Sequence, residues 1–353
     1  MIDISVSHLN IAQEAALLIR DGGIVYANPR AVKLFGEDCV GKRTEQLLGE
    51  EFPRLDTASY VGELELPEGQ LLAHTWTENG TTSVLLTELA PPPEIVNDVL
   101  LHGLRDRLKQ IEYALSPLRT HAEDSGDELS LKCLAEITES SLAIRRGVEN
   151  LTVAHQIQAG RLNCRFERFD VCLMLHELAD TVNLLLRDRV KLTVRAAQPE
   201  MILADYEKIE QLLLNLISNA LHAEGVKNIT LNVTSSGAKT ILSVDDDGAG
   251  IPEEEMAQTF SRFQYRCELR DAEKGAGLGL TVVRGIAQAH GGTLLMESEA
   301  GRGTRVRVSL CRRTEGKLPN RAARLSAEKE MNRVLAGLSG CLDKSCYREQ
   351  FFD

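Results

Sequence analysis

No apolar run in this 353-residue chain approaches the roughly 20 residues a helix needs to cross a bilayer. The N-terminus, MIDISVSHLN, lacks the basic start and apolar core of a secretory signal. The expectation is a cytoplasmic protein with no membrane insertion. Paired cysteines at metal or redox spacing are also missing. The eight cysteines (39, 133, 164, 172, 267, 311, 341 and 346) form no C-x-x-C, and Cys341 and Cys346 have no histidine cluster beside them. Ordinary reduced thiols are expected. Excess basic charge is absent as well: the net charge of −12 argues against a nucleic acid or an anionic membrane surface as partner. What remains is a mixed-charge chain, 43% hydrophobic, long enough for two or three globular domains.

The most informative stretch is 246–304. A strand-like run, Thr240–Asp245, leads into Asp246-Asp247-Gly248-Ala249-Gly250-Ile251-Pro252. About one helix further on comes Lys274-Gly275-Ala276-Gly277-Leu278-Gly279-Leu280, which opens an apolar helical segment running to His290. Gly291-Gly292, another strand and Gly301-Arg302-Gly303-Thr304 complete it. Glycine lets a backbone approach a ligand closely, and amides at a helix start point at phosphates. Upstream, Asn215 and Asn219 are four residues apart and share a helix face. Amides on a buried face need partners, and a Mg²⁺–phosphate cluster supplies oxygen-seeking ones.

These segments, in this order, resemble the two-component sensor histidine kinases with their Bergerat-type ATPase domain. Asn215 and Asn219 resemble the N box. Asp246, Gly248 and Gly250 resemble the first glycine box, Phe260-Ser261-Arg262-Phe263 the F box, and Gly275, Gly277 and Gly279 the second glycine box. The resemblance implies ATP and Mg²⁺ as cofactors. It gives Asp246 the adenine amine, Asn219 with Asn215 the Mg²⁺ on the phosphates, and Gly275, Gly277, Leu278 and Gly279 the phosphate tail. Thr304 matches a threonine behind the adenine, and His222 a basic position near ribose or phosphate. A lid over the nucleotide is implied for 252–274.

Between 94 and 158 the pattern is helical. Leu101, Leu104, Leu108, Ile111, Leu115 and Leu118 recur at heptad spacing. A polar turn over 122–128 precedes a second helix with Leu134, Ile137, Ile144, Val148 and Leu151, Ser141 being a gap. Two such helices form a hairpin whose apolar stripes call for a second copy, giving a homodimeric four-helix bundle. His102 flanks the seam, where the resembling family carries its phospho-accepting histidine. Three neighbours depart from that family: Gly103 replaces an acidic residue, Asp106 a Thr or Asn, and Arg107 a proline. Asp106 stands one turn after His102 and takes the place of the missing acidic neighbour as the group that holds the distal ring proton. It also puts in doubt the family's dephosphorylation of its phosphorylated partner.

Residues 11–89 read strand–strand–helix–strands. Hairpin signals stand at Arg20-Asp21-Gly22-Gly23 and Asn79-Gly80. With Ile24-Val25-Tyr26-Ala27-Asn28-Pro29, Ala31 and Leu34, this order resembles a PAS domain, without the His or Cys placement that haem or flavin demands. Pro91-Pro92-Pro93 marks its end.

The expected architecture is multidomain α+β: a PAS-like α/β sensor domain (1–92), a dimerisation and phosphotransfer hairpin (93–162), an α/β-sandwich ATPase domain (163–312) and a tail (313–353) with a docking helix or a loose extension. The expected function is autophosphorylation of a histidine from ATP, followed by transfer to an aspartate of a separate cognate response regulator, since no receiver domain is present. A catalytically impaired scaffold and a Bergerat-fold serine kinase are the alternatives.

Overall fold

The computed structural model describes residues 14–48, 59–66, 69–78, 80–88, 98–187, 189–196, 199–252, 278–312 and 327–348. The F-box resemblance, Gly275, Gly277, the triple proline and the expected lid lie outside the described residues.

The N-terminal unit contains β1 (Ala15–Arg20), β2 (Gly23–Ala27), α1 (Pro29–Phe35), α2 (Thr44–Leu48), β3 (Ser59–Leu66), β4 (Gly69–Glu78) and β5 (Thr81–Glu88). Asp21 and Gly22 both take positive φ, 52° and 73°, as a tight two-residue hairpin between right-twisted strands requires. Asn28 caps α1 by accepting from the Ala31 amide, and proline fills the first helical position. Alternate residues Leu17, Ile19, Ala73, Val84 and Leu86 build the core against Ala31 and Leu48.

A long helical hairpin follows: α3 (Asp98–Ser125) and α4 (Glu128–Gln158). Gly126, with φ of 67°, and the Asp127 cap close the turn. Within one chain the hairpin buries half of the heptad seam. Leu101, Leu108, Leu115 and Ala122 are buried, whereas Leu104, Ile111, Leu118, Ile137 and Ile144 are exposed. Ser141 and Leu142 face inward beside the Ile137 and Ile144 positions.

The remainder comprises β6 (Glu167–Asp170), α5 (Val171–Leu186), β7 (Lys191–Ala196), β8 (Met201–Ala204), α6 (Tyr206–Leu221), β9 (Asn228–Ser236), β10 (Lys239–Asp246), α7 (Leu278–Ala289), β11 (Leu294–Glu299), β12 (Gly303–Cys311) and α8 (Ala327–Gly337). Asp170 caps α5 and Asp205 caps α6, each through its carboxylate. Along β9, β10, β12 and β11 the residues opposite one another are Leu231, Val244, Val306 and Met296, then Val233, Leu242, Val308 and Leu294. This apolar lattice packs under α5, α6 and α7. Across the outer face, Arg305 pairs with Asp245 at 2.8 Å and Arg307 with Glu297 at 3.1 Å, contacts that add little stability at an exposed surface.

Two features join these units. The edge strands β3 and β11 pair antiparallel through Gly62–Leu295, Val61–Met296 and Tyr60–Glu297, so ten strands form one sheet in the order β2-β1-β5-β4-β3-β11-β12-β10-β9-β7. The open edges thereby satisfy each other's backbone groups. The tail docks: Val334, Leu335 and Leu338 of α8 and its exit are fully buried in the ATPase core. Among the described residues no helix is long and apolar enough to cross a membrane.

Replacing fully buried Ile217 with Ala is expected to destabilise the fold by about 2–5 kcal/mol, lost transfer energy plus a cavity. Leu184→Ala, on the exposed side of α5, is expected to stay within about 0.5 kcal/mol of the parent. Urea unfolding followed by far-ultraviolet dichroism measures both.

Candidate functional site

At the open end of β10 the backbone is pressed into a cradle. Asp246 ends the strand, and its Oδ1 accepts from the Gly248 amide at 3.0 Å and the Thr304 amide at 3.2 Å. Its other oxygen receives no hydrogen bond from described residues. Burial pushes the Asp246 carboxyl above the usual aspartate range, and the two amide donors work against that shift. Gly250, at φ 68°, lies so close to the Glu299 carbonyl that a Cβ would collide with it. Gly303, at φ 97°, stands in the same relation to the Asp246 carbonyl. Only glycine fits at both places.

Ser298 is the clamp of this cradle, and the glycine pattern gave no hint of it. Its hydroxyl accepts from the Ile251 amide at 2.8 Å, donates to the Gly303 carbonyl and meets the Thr304 hydroxyl at 2.8 Å. Asp247 accepts from the Lys227 and Asn228 amides and thereby ties the cradle to β9. Both residues have a faint sequence signal: Ser298 is polar at a buried register position, and Asp247 adjoins Asp246.

The helix α6 brings Asn215, Asn219 and His222 to the same region but gives them different surroundings. Asn219 is exposed, and its side chain makes no hydrogen bond among the described residues. Asn215 is buried and already partnered. It accepts from the Asn150 amide at 2.9 Å, donates back at 3.2 Å, and donates to the Gln211 carbonyl at 2.9 Å. Its Oδ1 lies where a Cβ on Gly279 would sit 3.2 Å away, so the start of α7 packs directly on this amide. Leu278 begins α7 and is half-buried. His222 caps α6, with Nδ1 2.7 Å from the Ser218 carbonyl oxygen, and the Cys341 sulfur of the tail lies 3.5 Å from the same nitrogen. That contact raises the His222 pKa, burial opposing it. The partners these residues find, Asn150 on α4 and Cys341 on the tail, carry no motif from which they could be read.

His102 stands on the outside of α3 with its side chain 76% exposed, and its Nε2 lies 3.5 Å from Asp106 Oδ2. A hydrophilic i,i+4 pair thus stands on an exposed helix face.

Comparison with known proteins places these elements in a family context. The family model for histidine kinase-, DNA gyrase B-, and HSP90-like ATPases matches residues 204–314, which include the whole cradle and α6. A PAS domain model matches residues 9–69. The sensor histidine kinase YclK of Bacillus subtilis is 27% identical over 219 residues, 59% of this chain and 44% of its own. The circadian input-output histidine kinase CikA of Synechococcus elongatus is 39% identical over 103 residues, 29% of this chain and 14% of its own. Among solved structures, the histidine kinase AdeS of Acinetobacter baumannii is 21% identical with a TM-score of 0.42, covering 60% of this chain and 98% of that one. The chain spans less than half the length of these two curated relatives. It carries a PAS domain followed by an ATPase domain of the histidine kinase-, DNA gyrase B- and HSP90-like class, and both of these curated relatives are histidine kinases.

Asp246→Asn places a donor where the cradle offers an acceptor. Loss of a charged hydrogen bond, about 1.5–3 kcal/mol, is expected to weaken a fluorescent ATP analogue by ~10- to 150-fold. Gly303→Ala is expected to abolish that binding through its collision with the Asp246 carbonyl. Unchanged titration curves for both would remove the cradle from the nucleotide site.

Proposed function

We propose that this chain, as a relative of sensor histidine kinases, is an ATP-dependent protein histidine kinase that phosphorylates His102 and hands the phosphoryl group to an aspartate of a separate response regulator. One observation carries the reading: a nucleotide-type cradle around Asp246 and an exposed His102–Asp106 pair occur in a single chain. In this reading the free oxygen of Asp246 accepts from the adenine amine, and Gly250 and Gly303 let the base approach. Thr304, hydrogen-bonded to Asp246, lies behind the base. Gly248 holds the turn, and Gly275, Gly277, Leu278 and Gly279 close on the phosphates. His222 is the basic group beside them.

Mg²⁺ fits one place in the described site. Asn219 offers an exposed amide oxygen with no competing partner, the hard donor that Mg²⁺ prefers, whereas Asn215 is committed to Asn150. The ion, when bound, neutralises phosphate charge. The chain's own chemistry centres on His102. One ring nitrogen rests against Asp106, which holds its proton. The lone pair of the other attacks the γ-phosphorus, an N–P bond forms, the bond to the bridging oxygen breaks, and ADP leaves. The phosphoramidate is then the donor to the regulator's carboxylate. Asp106 stabilises the positive charge that develops on the ring, the role a carboxylate plays beside an acting histidine elsewhere.

The dimer belongs to the same reading. Leu104, Ile111, Leu118, Ile137 and Ile144 are exposed at heptad spacing on α3 and α4, and a second hairpin is the surface that covers such a stripe on both helices at once. Proposed boundaries are a sensor domain over 1–92, the hairpin over 93–162, the ATPase domain over 163–312 and the tail over 313–353, in a cytoplasmic protein. The impaired-scaffold reading draws on Gly103 and on the engaged Asn215. It is separated by labelling with radioactive ATP: acid-labile, base-stable phosphate marks histidine, acid-stable phosphate marks serine, and no label marks a scaffold.

Asp106→Asn is expected to leave nucleotide binding intact and slow phosphorylation of His102 by at least ~10-fold, the lower end of general-base assistance, with partial recovery when Gly103→Glu is added. Equal initial rates for Asp106→Asn and parent would leave Asp106 as a solvated helix residue. Ile111→Asp combined with Ile144→Asp is expected to convert a dimer to a monomer in light scattering, because charge would enter an apolar interface. A parent protein that is itself monomeric at working concentration would refute the bundle.

A further inference from the structure

Where the hairpin, α6 and the tail meet there is a cavity of about 450 Å³. Its walls come from α3, α4, α6 and α8, and the cradle residues Asp246, Gly250 and Thr304 do not line it. Asn215 is on the wall, with its amide turned to Asn150. The wall charges do not cancel. Arg333 is paired with Glu210 at 2.8 Å and Glu207 at 3.3 Å, and Arg145 with Glu112 at 3.0 Å. Arg105, Arg146 and Lys208 form no ion pair among the described residues. Glu149, the remaining acid on the wall, is exposed to solvent. Arg146 donates long hydrogen bonds, each 3.5 Å, to the Ser339 carbonyl and Asn215 Oδ1, and it interacts with Cys341. Two polar atoms on the wall are buried with no partner, Arg145 Nε as donor and Asn332 Oδ1 as acceptor.

We propose that this cavity is a second anion site, which takes the diphosphate group of a small molecule between Arg105, Arg146 and Lys208. Three cations from three helices, opposed by Glu149 and by the second of the two glutamates that share Arg333, leave a net positive wall that favours an anion. Guanidinium groups recognise phosphate oxygens by paired N–H donors. The volume exceeds a single phosphate and falls within the usual range for small-molecule sites, roughly 300–1,000 Å³. The free Arg145 Nε is a further donor, and the free Asn332 Oδ1 accepts a hydroxyl from whatever carries the diphosphate. An anion here bridges the phosphoacceptor helix, the helix bearing Asn215 and Asn219, and the tail. It therefore stabilises their docked arrangement by mass action.

The test is calorimetric titration of the full chain with inorganic pyrophosphate and, separately, with ADP. Arg146→Gln and Lys208→Gln are each expected to weaken pyrophosphate by at least ~10-fold, as loss of a charge-assisted hydrogen bond does, and to leave the fluorescent ATP analogue unaffected. Asn219→Ala is expected to leave pyrophosphate binding unchanged. Lys208 lies half-exposed on its helix, so its variant reports on binding even where Arg146→Gln perturbs packing. A second ADP equivalent sensitive to Arg146→Gln identifies a nucleotide as the carrier, and one ADP equivalent beside a pyrophosphate site identifies the free diphosphate. Absence of pyrophosphate binding, indifference to both cation variants, or loss on Asn219→Ala alone overturns the proposal. The last result would place the anion in the nucleotide cleft, and unaltered analogue binding keeps that failure apart from a failure of the kinase assignment.

Discussion

The amide pair between Asn150 and Asn215 governs how this molecule is put together. Asn215 occupies the middle of a largely apolar buried helix face, with Leu212, Leu213, Leu216 and Ile217 around it and Glu210 and Ser218 the other buried polar side chains. A buried primary amide left without partners costs about 1–3 kcal/mol. Here α4 supplies the missing donor and acceptor together, at 2.9 and 3.2 Å, and Gln211 adds a 3.1 Å bond to the same Asn150 carbonyl oxygen. Hydrophobic contact alone would let the hairpin slide along the ATPase layer. Directional amide bonds fix the register, and the α7 contact then follows: Ile157, two turns beyond Asn150, fills the gap over Gly285, where any side chain would collide with it.

The tail builds on that register. Once α4 and α6 are held together, α8 packs against them and α5. Val334, Leu335 and Leu338 are fully buried in that contact. On either side of them the backbone of the tail is held by arginines: Arg145 donates to the Asn332 carbonyl at 3.3 Å and Arg189, just beyond α5, to the Cys341 carbonyl. Lys344 with Glu136, at 2.9 Å between exposed groups, adds little. Burial of the aliphatic residues therefore supplies most of the docking energy, at about 25 cal/mol per Å² of apolar surface, and the polar bonds specify the pose.

Much of this was legible in the sequence because it is governed by local chemistry. Asp170 and Asp205 announce helix starts by the geometry of a carboxylate accepting from the next turn's amides. Asp21-Gly22-Gly23 announces a hairpin, since only such residues accept two positive φ angles in succession. Gly250 and Gly303 are legible for the same reason, because a Cβ at either would strike a carbonyl. The helical repeat of α3 showed the seam, though not which half a single hairpin covers on its own: Leu101 and Leu108 turn inward and Leu104 and Ile111 outward. Long-range partnerships left no trace. Asn150 is one polar residue on a long helix, Ser298 one hydroxyl in a strand, and the β3–β11 pairing is backbone to backbone, independent of side-chain identity. Only three-dimensional proximity makes them partners.

The same amide pair limits what the docked arrangement does. For Asn215 to turn toward a nucleotide beside Asn219, Asn150 must let it go. The two neutral bonds to Asn150, each worth about 0.5–1.5 kcal/mol net, cost of the order of 1–3 kcal/mol to release, and the long 3.5 Å bond from Arg146 to the same oxygen is lost with them. That is the size of free-energy gap by which ligands shift two-state equilibria. It is small beside the apolar burial that holds the ATPase layer itself. Parting the hairpin from the ATPase layer is a larger step than releasing Asn215, because Ala135, Leu142 and Val153 of α4 share one buried cluster with Leu212, Val283 and Ile286. Exchange of the Asn215 amide between Asn150 and a ligand therefore needs no opening of that core, whose large-to-small substitutions alone cost about 2–5 kcal/mol each.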